Sequence, residues 1–102
     1  MRTQEEFRSH IGTTFVVTPQ RRDGQVKLEL TEIVDHSNEQ LDAFSLMFLG
    51  PKDQLFDQGI QAMDHESLGR LSMFLTPILS PGLAEHLVRY EAVYSRIREI
   101  KH

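Results

Sequence analysis

The sequence contains no cysteine among its 102 residues. Disulfide bridges, thiolate nucleophiles and cysteine-ligated zinc sites are therefore excluded. A chain without cysteine is compatible with any redox environment, so this absence leaves the cellular compartment open.

Long apolar runs are also missing. No stretch approaches the roughly 20 apolar residues that a helix needs to cross a bilayer. The N-terminal MRTQEEFRSHIG has no apolar core like that of a secretory signal. We therefore expect a cytoplasmic protein without a membrane partner. Export as part of a larger particle, by a machine that reads no N-terminal signal, stays open as an alternative.

Positive charge is sparse and scattered. Lys and Arg number 11 against 15 Asp and Glu, which gives a formal net charge of -4. Nucleic acids attract stripes of Lys and Arg, so the composition argues against a nucleic-acid partner. Hydrophobic residues make up 39% of the chain and charged residues 25%, which is typical of a folded globular protein. The length fits one domain spanning residues 1–102.

Residues 1–12 predict a short helix. Phe7 and Ile11 lie four residues apart, which places both on one helical face. Gly12 follows as a helix-ending residue. Because so short a helix is not stable alone in water, we expect Phe7 and Ile11 to close one end of a larger structure.

From residue 13 onward the apolar residues alternate with a period of two, which predicts strands with one buried and one solvated face. The pair Asp23-Gly24 predicts a tight hairpin turn between the first two strands. The alternation is interrupted at Ile33 and Val34, where we expect a bulge or a bend. The side chains predicted to face inward in these two strands are Phe15, Val17, Val26, Leu28 and Leu30.

The segment AFSLMFLGP is apolar on both faces and predicts the most central strand. Gly50 and Pro51 end this strand, and we expect Leu55 and Phe56 of the following loop to lie under it. One face carries Phe44, Leu46 and Phe48, and the other carries Met47 and Leu49.

Three further strands follow. The first is short and has Ile60 and Ala62 on one face. In the second, LGRLSMFLTPI, Phe74 lies on the wetter face, and Pro77 ends or bends the strand. Residues 96–102 predict a frayed tail. The side chains predicted to face inward in the last two strands are Leu71, Met73, Leu75, Val88, Tyr90, Ala92 and Tyr94.

These patterns predict an all-β, mainly antiparallel fold. About six strands are joined mostly by hairpin-length loops, without strand–helix alternation. The architecture is a small six-stranded barrel or a compact sandwich with a short N-terminal helix, and the periodicity does not choose between the two.

The segment MDHESLG contains residue types found in catalytic and metal sites at four consecutive positions: Asp64, His65, Glu66 and Ser67. Consecutive side chains alternate faces on a strand and splay in a turn, so they do not converge. No other histidine stands at a metal-ligand spacing from His65. We therefore predict a turn in which Asp and Ser side chains bond to their own backbone. Gly69 takes a positive φ there, and His65 hydrogen-bonds a neighbouring loop.

No other segment predicts a catalytic, cofactor or metal site. The GPK at residues 50–52 lacks the further glycines and the following helix of a phosphate-binding loop. No serine stands in a G-x-S-x-G context. Two carboxylate pairs stay open as acid–base candidates, because the sequence does not show whether they meet in space. They are Asp42 with Asp53 and Asp57 with Glu66.

The aromatic residues are numerous enough to line a ligand cavity. The interior of a barrel this small is filled by its own side chains, however, so we predict that most of them form the core. Phe74 is the exception, because it lies on the polar side of its strand and could anchor a partner protein. Phe74 and His65 are our predicted partner contacts. The predicted core aromatics are Phe44, Phe48, Phe56, Tyr90 and Tyr94.

Several segments carry a family resemblance in their order and spacing. They are HIGTTFVV, VKLELTEI, FSLMFLGP, QGIQAMDHESLGRLSMFLTPI and RYEAVYS. Together they resemble a bacterial domain family of unknown function, with an F-S-L-x-F-x-G-P core strand and a closing R-Y-E-A-V-aromatic strand. The LSPGLAEHL loop and the tail after Ser95 differ from the family pattern. The resemblance implies a small β-domain and no activity, and it implies an association of the family with phage-tail-like or surface-appendage proteins.

We therefore expect a non-enzymatic protein-interaction or accessory assembly module, associated with phage-tail-like or surface structures. Its expected partner is another protein, and a homo-oligomer stays open. A small-molecule or lipid-binding barrel is the alternative, and a small hydrolase ranks third. An apolar void above roughly 300 Å³ would favour the ligand binder, whereas a large exposed apolar patch would favour the interaction module.

Overall fold

The computed structural model describes residues 3–20 and 24–97 and shows a closed six-stranded antiparallel barrel with one short helix. The strand order around the barrel is β1-β2-β3-β6-β5-β4, and β4 pairs with β1 to close it. The all-β prediction is confirmed, and the architecture is the barrel. The elements are α1 (Gln4–Arg8), β1 (Thr14–Thr18), β2 (Val26–Asp35), β3 (Leu41–Pro51), β4 (Gly59–His65), β5 (Gly69–Ile78) and β6 (Leu87–Ile97).

The inward face of the barrel forms one hydrophobic core. The predicted alternation is confirmed in β1, in β2 as far as Leu30 and in β5, where inward side chains are buried and most outward ones exposed. In β6, Tyr90 and Ala92 are buried as predicted and Val93 is exposed. Gly50 is required by this packing, because a Cβ there would collide with the buried side chain of Leu28. The predicted core aromatics all lie in this cluster or pack against it: Phe44, Phe48, Phe56, Tyr90 and Tyr94.

The bulge in β2 lies slightly earlier than the sequence indicates. The β2–β3 register shifts between Leu30 and Glu32, so Thr31 is the inserted residue, and its hydroxyl donates to the carbonyl of Met47 at 3.1 Å. The shift lets Leu30 and Ile33 both contribute to the core although two polar residues separate them.

The N-terminal helix is shorter than predicted. It ends at Arg8, so Ile11 lies outside it and is 42% exposed. Phe7 is fully buried, as predicted, and its ring centroid lies 6.2 Å from that of Phe44 and 5.6 Å from that of Tyr94. Phe7 therefore closes this end of the barrel and Ile11 does not.

At the opposite end, the loop after β3 is fixed by one of the two residues predicted to lie under it. The ring of Phe56 stacks on that of Tyr90 with centroids 4.4 Å apart, and the Phe56 amide donates to the Tyr90 hydroxyl at 3.3 Å. Leu55 is instead 47% exposed.

Two sequence expectations, the C-terminal tail and the first hairpin turn, fall at or beyond the described boundaries. The predicted tail begins at residue 96, but β6 continues to Ile97 because β3 is long enough to pair with it through Leu41. The rest of the tail, residues 98–102, and Asp23 of the predicted hairpin turn lie outside the described residues. Within the described ranges, no helix is long and apolar enough to cross a membrane.

The core assignment predicts a large difference between two substitutions. Leu46→Ala should lower the free energy of unfolding by about 2–5 kcal/mol, because Leu46 is fully buried. Phe74→Ser should change it by no more than about 1 kcal/mol, because the Phe74 ring is 51% exposed. Urea denaturation of both variants measures this, and equally large losses would place Phe74 in the core.

Candidate functional site

The predicted turn is present at Glu66 and Ser67, whereas Asp64 and His65 are the last two residues of β4. His65 ends β4, residues 66–68 turn the chain, and Gly69 opens β5 with φ +74°. Asp64 points outward and accepts from Arg70, with Nε–Oδ1 and Nη2–Oδ2 distances of 3.2 and 3.3 Å. Glu66 and Ser67 are exposed. The four side chains therefore do not converge on a common point.

The turn is capped by His65 and not by the Asp or Ser side chains that the sequence suggested. The Nδ1 atom of His65 accepts from the backbone amides of Ser67 at 3.0 Å and Leu68 at 3.1 Å. An atom that accepts two hydrogen bonds carries no proton, so the proton of the neutral ring is on Nε2. A short polar residue at the end of a strand is the usual signal for such a cap, and here an imidazole fills that role.

The same ring ties the turn to the start of the chain. Its Nε2 lies 2.8 Å from the Thr13 hydroxyl, which itself donates to the His10 carbonyl at 2.6 Å. The rings of His10 and Phe15 lie 4.7 and 4.5 Å from that of His65, measured between centroids. The predicted hydrogen bond from His65 to a neighbouring loop is therefore present. We call His65, Thr13 and His10 the His65 clamp.

The clamp disfavours a charged His65. Burial is the largest cause that lowers the pKa of His65 below its ordinary 6.5; the neighbouring His10 adds to this, and Glu66 opposes it. The side chain is only 6% exposed, so the ring faces the interior of the molecule. Of the two predicted partner contacts, Phe74 is the accessible one.

The outer face of the β4–β5 hairpin carries the exposed apolar side chains. Phe74 lies on the solvent side of β5, as expected, directly opposite Ile60 of β4. The two side chains are 51% and 58% exposed. We call Ile60 and Phe74 the outer apolar pair. The sequence grouped Ile60 with Ala62 correctly but did not show that this face of β4 is the outer one.

The buried face of β4 carries two polar residues, Gln61 and His65, on either side of the fully buried Met63. Gln61 points inward, where its Oε1 accepts from the Gln20 amide at 3.3 Å and its Nε2 donates to the Asp57 carbonyl at 3.4 Å. With Gln61 and His65 satisfied inside, the apolar Ile60 faces solvent. A glutamine in a strand is normally predicted to face solvent. The sequence therefore did not reveal that Gln61 faces inward and Ile60 outward.

The members of each carboxylate pair that the sequence left open as an acid–base candidate lie far apart. Asp57 precedes β4 and Glu66 follows it, so seven strand residues, at about 3.3 Å each or roughly 20 Å in all, separate them. Asp42 and Asp53 are separated by most of β3 in the same way. Across residues 3–20 and 24–97, no three His, Asp or Glu side chains are grouped so as to hold a metal ion.

Two clefts open at the surface of the described residues. One of about 350 Å³, lined more by polar than by apolar surface, lies beside residues 55–59, and another of about 530 Å³, lined more by apolar surface, lies between residues 51–53 and residues 85–86. Gln20, Asp57, Gln58 and Gln61 line much of the first cleft. Neither cleft is the apolar void inside the barrel that a ligand-binding barrel would use.

The clamp predicts a specific pH dependence of stability. Because the pKa of His65 is lower in the folded than in the unfolded chain, the unfolded chain binds the proton more readily. The stabilisation of the folded chain by neutral His65 is therefore complete above pH 6.5. It declines as the pH falls below 6.5 and is fully lost below the pKa of His65 in the folded chain. His65→Asn should cost about 1–3 kcal/mol at neutral pH and flatten this part of the curve.

The control is His86→Asn, which removes an exposed histidine at the opposite end of the barrel. It should keep the wild-type decline below pH 6.5 in urea denaturation curves. An undiminished decline in His65→Asn would contradict the clamp.

Comparison with known proteins gives a family and nothing more specific. No curated protein and no solved structure matches the chain. A family model matches residues 2–94, a range that includes the helix and extends into the last strand. A match over this much of the chain shows membership: the chain belongs to the family described as Domain of unknown function (DUF6916).

Proposed function

We propose that this barrel is a non-enzymatic protein-interaction module and that the outer apolar pair is its contact surface. The observation that carries the proposal is the exposure of Ile60 and Phe74 as direct cross-strand neighbours. Single exposed apolar residues are ordinary, but buried aromatic anchors dominate many protein interfaces. A phenylalanine held beside an isoleucine on a rigid sheet is a preformed anchor of that kind.

The surroundings of the pair resemble the layout of a small interface. Along the same face, Ala62 stands opposite Ser72 and Asp64 opposite Arg70. The face therefore changes from apolar, through small side chains, to an exposed ion pair. An apolar centre with a polar rim is the usual arrangement in protein interfaces.

A non-enzymatic role is supported by the distribution of reactive side chains. The carboxylates that could act as acid and base lie at opposite ends of β3 and β4, and His65 is engaged in its clamp. The ligand-binding barrel and the small hydrolase both rank lower, because each needs a structural feature of its own. A small-molecule or lipid binder would need an enclosed apolar cavity, and a hydrolase would need convergent titratable groups in a cleft.

The partner class that we propose is a component of a phage-tail-like or surface structure in a bacterium. The support is the family resemblance and its association with such structures, because the contact surface itself specifies only an apolar complement. In this proposal the barrel is an accessory assembly module that contributes a binding face and no chemistry.

Site-specific photocrosslinking tests the proposed surface. A photoreactive phenylalanine analogue replaces Phe74 in the source organism, and the matched control carries it at Leu79, which is 97% exposed in the loop after β5. We expect a discrete adduct with one protein from position 74 and none from position 79. If position 74 gives no adduct, or both positions give the same one, the outer apolar pair is not the contact surface.

A further inference from the structure

The outer face of β3 is unusually apolar for one strand of a closed barrel. In an antiparallel sheet that covers a single core, the side chains that point to solvent are normally polar. Leu46 and Phe48 point into the core, so Ser45, Met47 and Leu49 point outward. None of these three is charged, and two of them are large and apolar. The strand that is apolar on both faces therefore has a core on one side only.

Cross-strand pairing extends this apolar face onto the two neighbouring strands. Ser45 stands between Val34 of β2 and Val93 of β6. Val93 is 63% exposed, so no other described part of the chain covers it. Ser45 is only 1% exposed, which makes the small serine the floor of a shallow depression between larger side chains. We call Val34, Ser45, Met47 and Val93 the β3 face.

Two carboxylates border the β3 face at Met47. The register places Glu32 of β2 on one side of Met47 and Glu91 of β6 on the other. Residues directly opposite each other in a ladder have Cβ atoms about 4.5–5.5 Å apart, so both carboxylates stand next to the thioether side chain. Neither forms an ion pair with another side chain that the structure describes. Their negative charge is therefore available to an external cation.

The next row of the sheet does not compensate this charge. Leu49 lies between Glu29 and Arg89, and Arg89 donates to the Ser80 hydroxyl at 3.1 Å. The two rows together contain three glutamates and one arginine, which gives them a formal charge of -2. An anionic lipid surface or a nucleic acid would be repelled here, whereas a cationic partner would be attracted.

We propose that the β3 face binds a protein segment that presents an apolar side chain between two cationic ones. The apolar side chain enters the depression over Ser45, and the Lys or Arg side chains pair with Glu32 and Glu91. The strand order places β3 opposite β4 across the barrel, so this face and the outer apolar pair lie on opposite walls. The proposal uses no residue of the outer apolar pair and stands independently of it. With both surfaces occupied, the barrel joins two components.

A synthetic peptide tests the proposed chemistry. Lysine and leucine alternate at every second position of this peptide, with serine between them, so that an extended chain presents both on one face. In amide NMR titrations, the signals of residues 45–49 and 91–93 should shift, and those of residues 60–64 should not. Matched peptides with glutamate for lysine, or with serine for leucine, should bind at least about tenfold more weakly. Equal binding of the lysine and glutamate peptides would overturn the proposal.

Paired charge reversals test the two carboxylates. Glu32→Lys combined with Glu91→Lys should weaken binding of the lysine peptide at least about tenfold and reverse the preference to the glutamate peptide. The control combines Glu39→Lys with Glu85→Lys, which reverses two exposed loop carboxylates and changes the net charge equally. It should keep the wild-type preference. Equal losses in the two double variants would contradict the proposal, because net charge and not the β3 face would then select the peptide.

Two substitutions of single apolar residues separate the two surfaces. Val93→Ser and Ile60→Ser each remove an exposed apolar side chain, and the two positions lie on opposite walls. Val93→Ser should weaken peptide binding about threefold or more, because the peptide loses apolar contact. Ile60→Ser should leave the affinity unchanged, and both variants should melt close to the wild type in circular dichroism. A loss in Ile60→Ser but not in Val93→Ser would place the peptide on the outer apolar pair and overturn the β3 face.

Two other occupants of the β3 face would also overturn the proposal. Cosedimentation with phosphatidylglycerol vesicles, without peptide binding, would assign the face to a membrane. A dimer mass in light scattering that Val93→Ser reduces to the monomer mass would assign it to a second copy. We expect neither result, because anionic lipid and a second copy of the same acidic face both bring like charge to Glu32 and Glu91.

Discussion

The imidazole of His65 is the interaction on which the arrangement of this barrel depends. One ring nitrogen accepts from two amides of the β4–β5 turn, and the other bonds Thr13 in the segment between α1 and β1. Two segments about 50 residues apart in sequence therefore meet at one neutral side chain. Because the ring is buried against Phe15, the loss of either set of bonds would leave polar groups unsatisfied in an apolar setting.

The clamp also fixes the surface that we propose as functional. The β4–β5 hairpin is held at its turn by His65 and at its other end by Gln61. With both inward polar side chains satisfied, alternation along β4 directs Ile60 outward, opposite Phe74. A binding surface held in place before binding loses less conformational entropy on association. The internal hydrogen bonds thus account for a rigid apolar face on the outside.

The sequence predicts those elements whose pattern is local. Strand alternation places Leu71, Met73 and Leu75 inside and Phe74 outside, and the sequence correctly predicts a turn that contains Glu66 and Ser67. Ile11 was placed wrongly, because four-residue spacing shows a shared helical face but not whether the helix extends that far. The hydrogen bond that holds Gln61 inward and the bond between His65 and Thr13 join residues about 40 and 50 positions apart. Local periodicity does not carry that information.

Residue-resolved amide hydrogen exchange of the wild type and of His65→Leu tests most directly whether the His65 imidazole holds the β4–β5 hairpin in place. The account predicts faster exchange in His65→Leu at the amides of Ser67 and Leu68, which lose their acceptor. The amides that join β1 to β2 should keep the wild-type rates. Unchanged exchange at both turn amides would contradict the account.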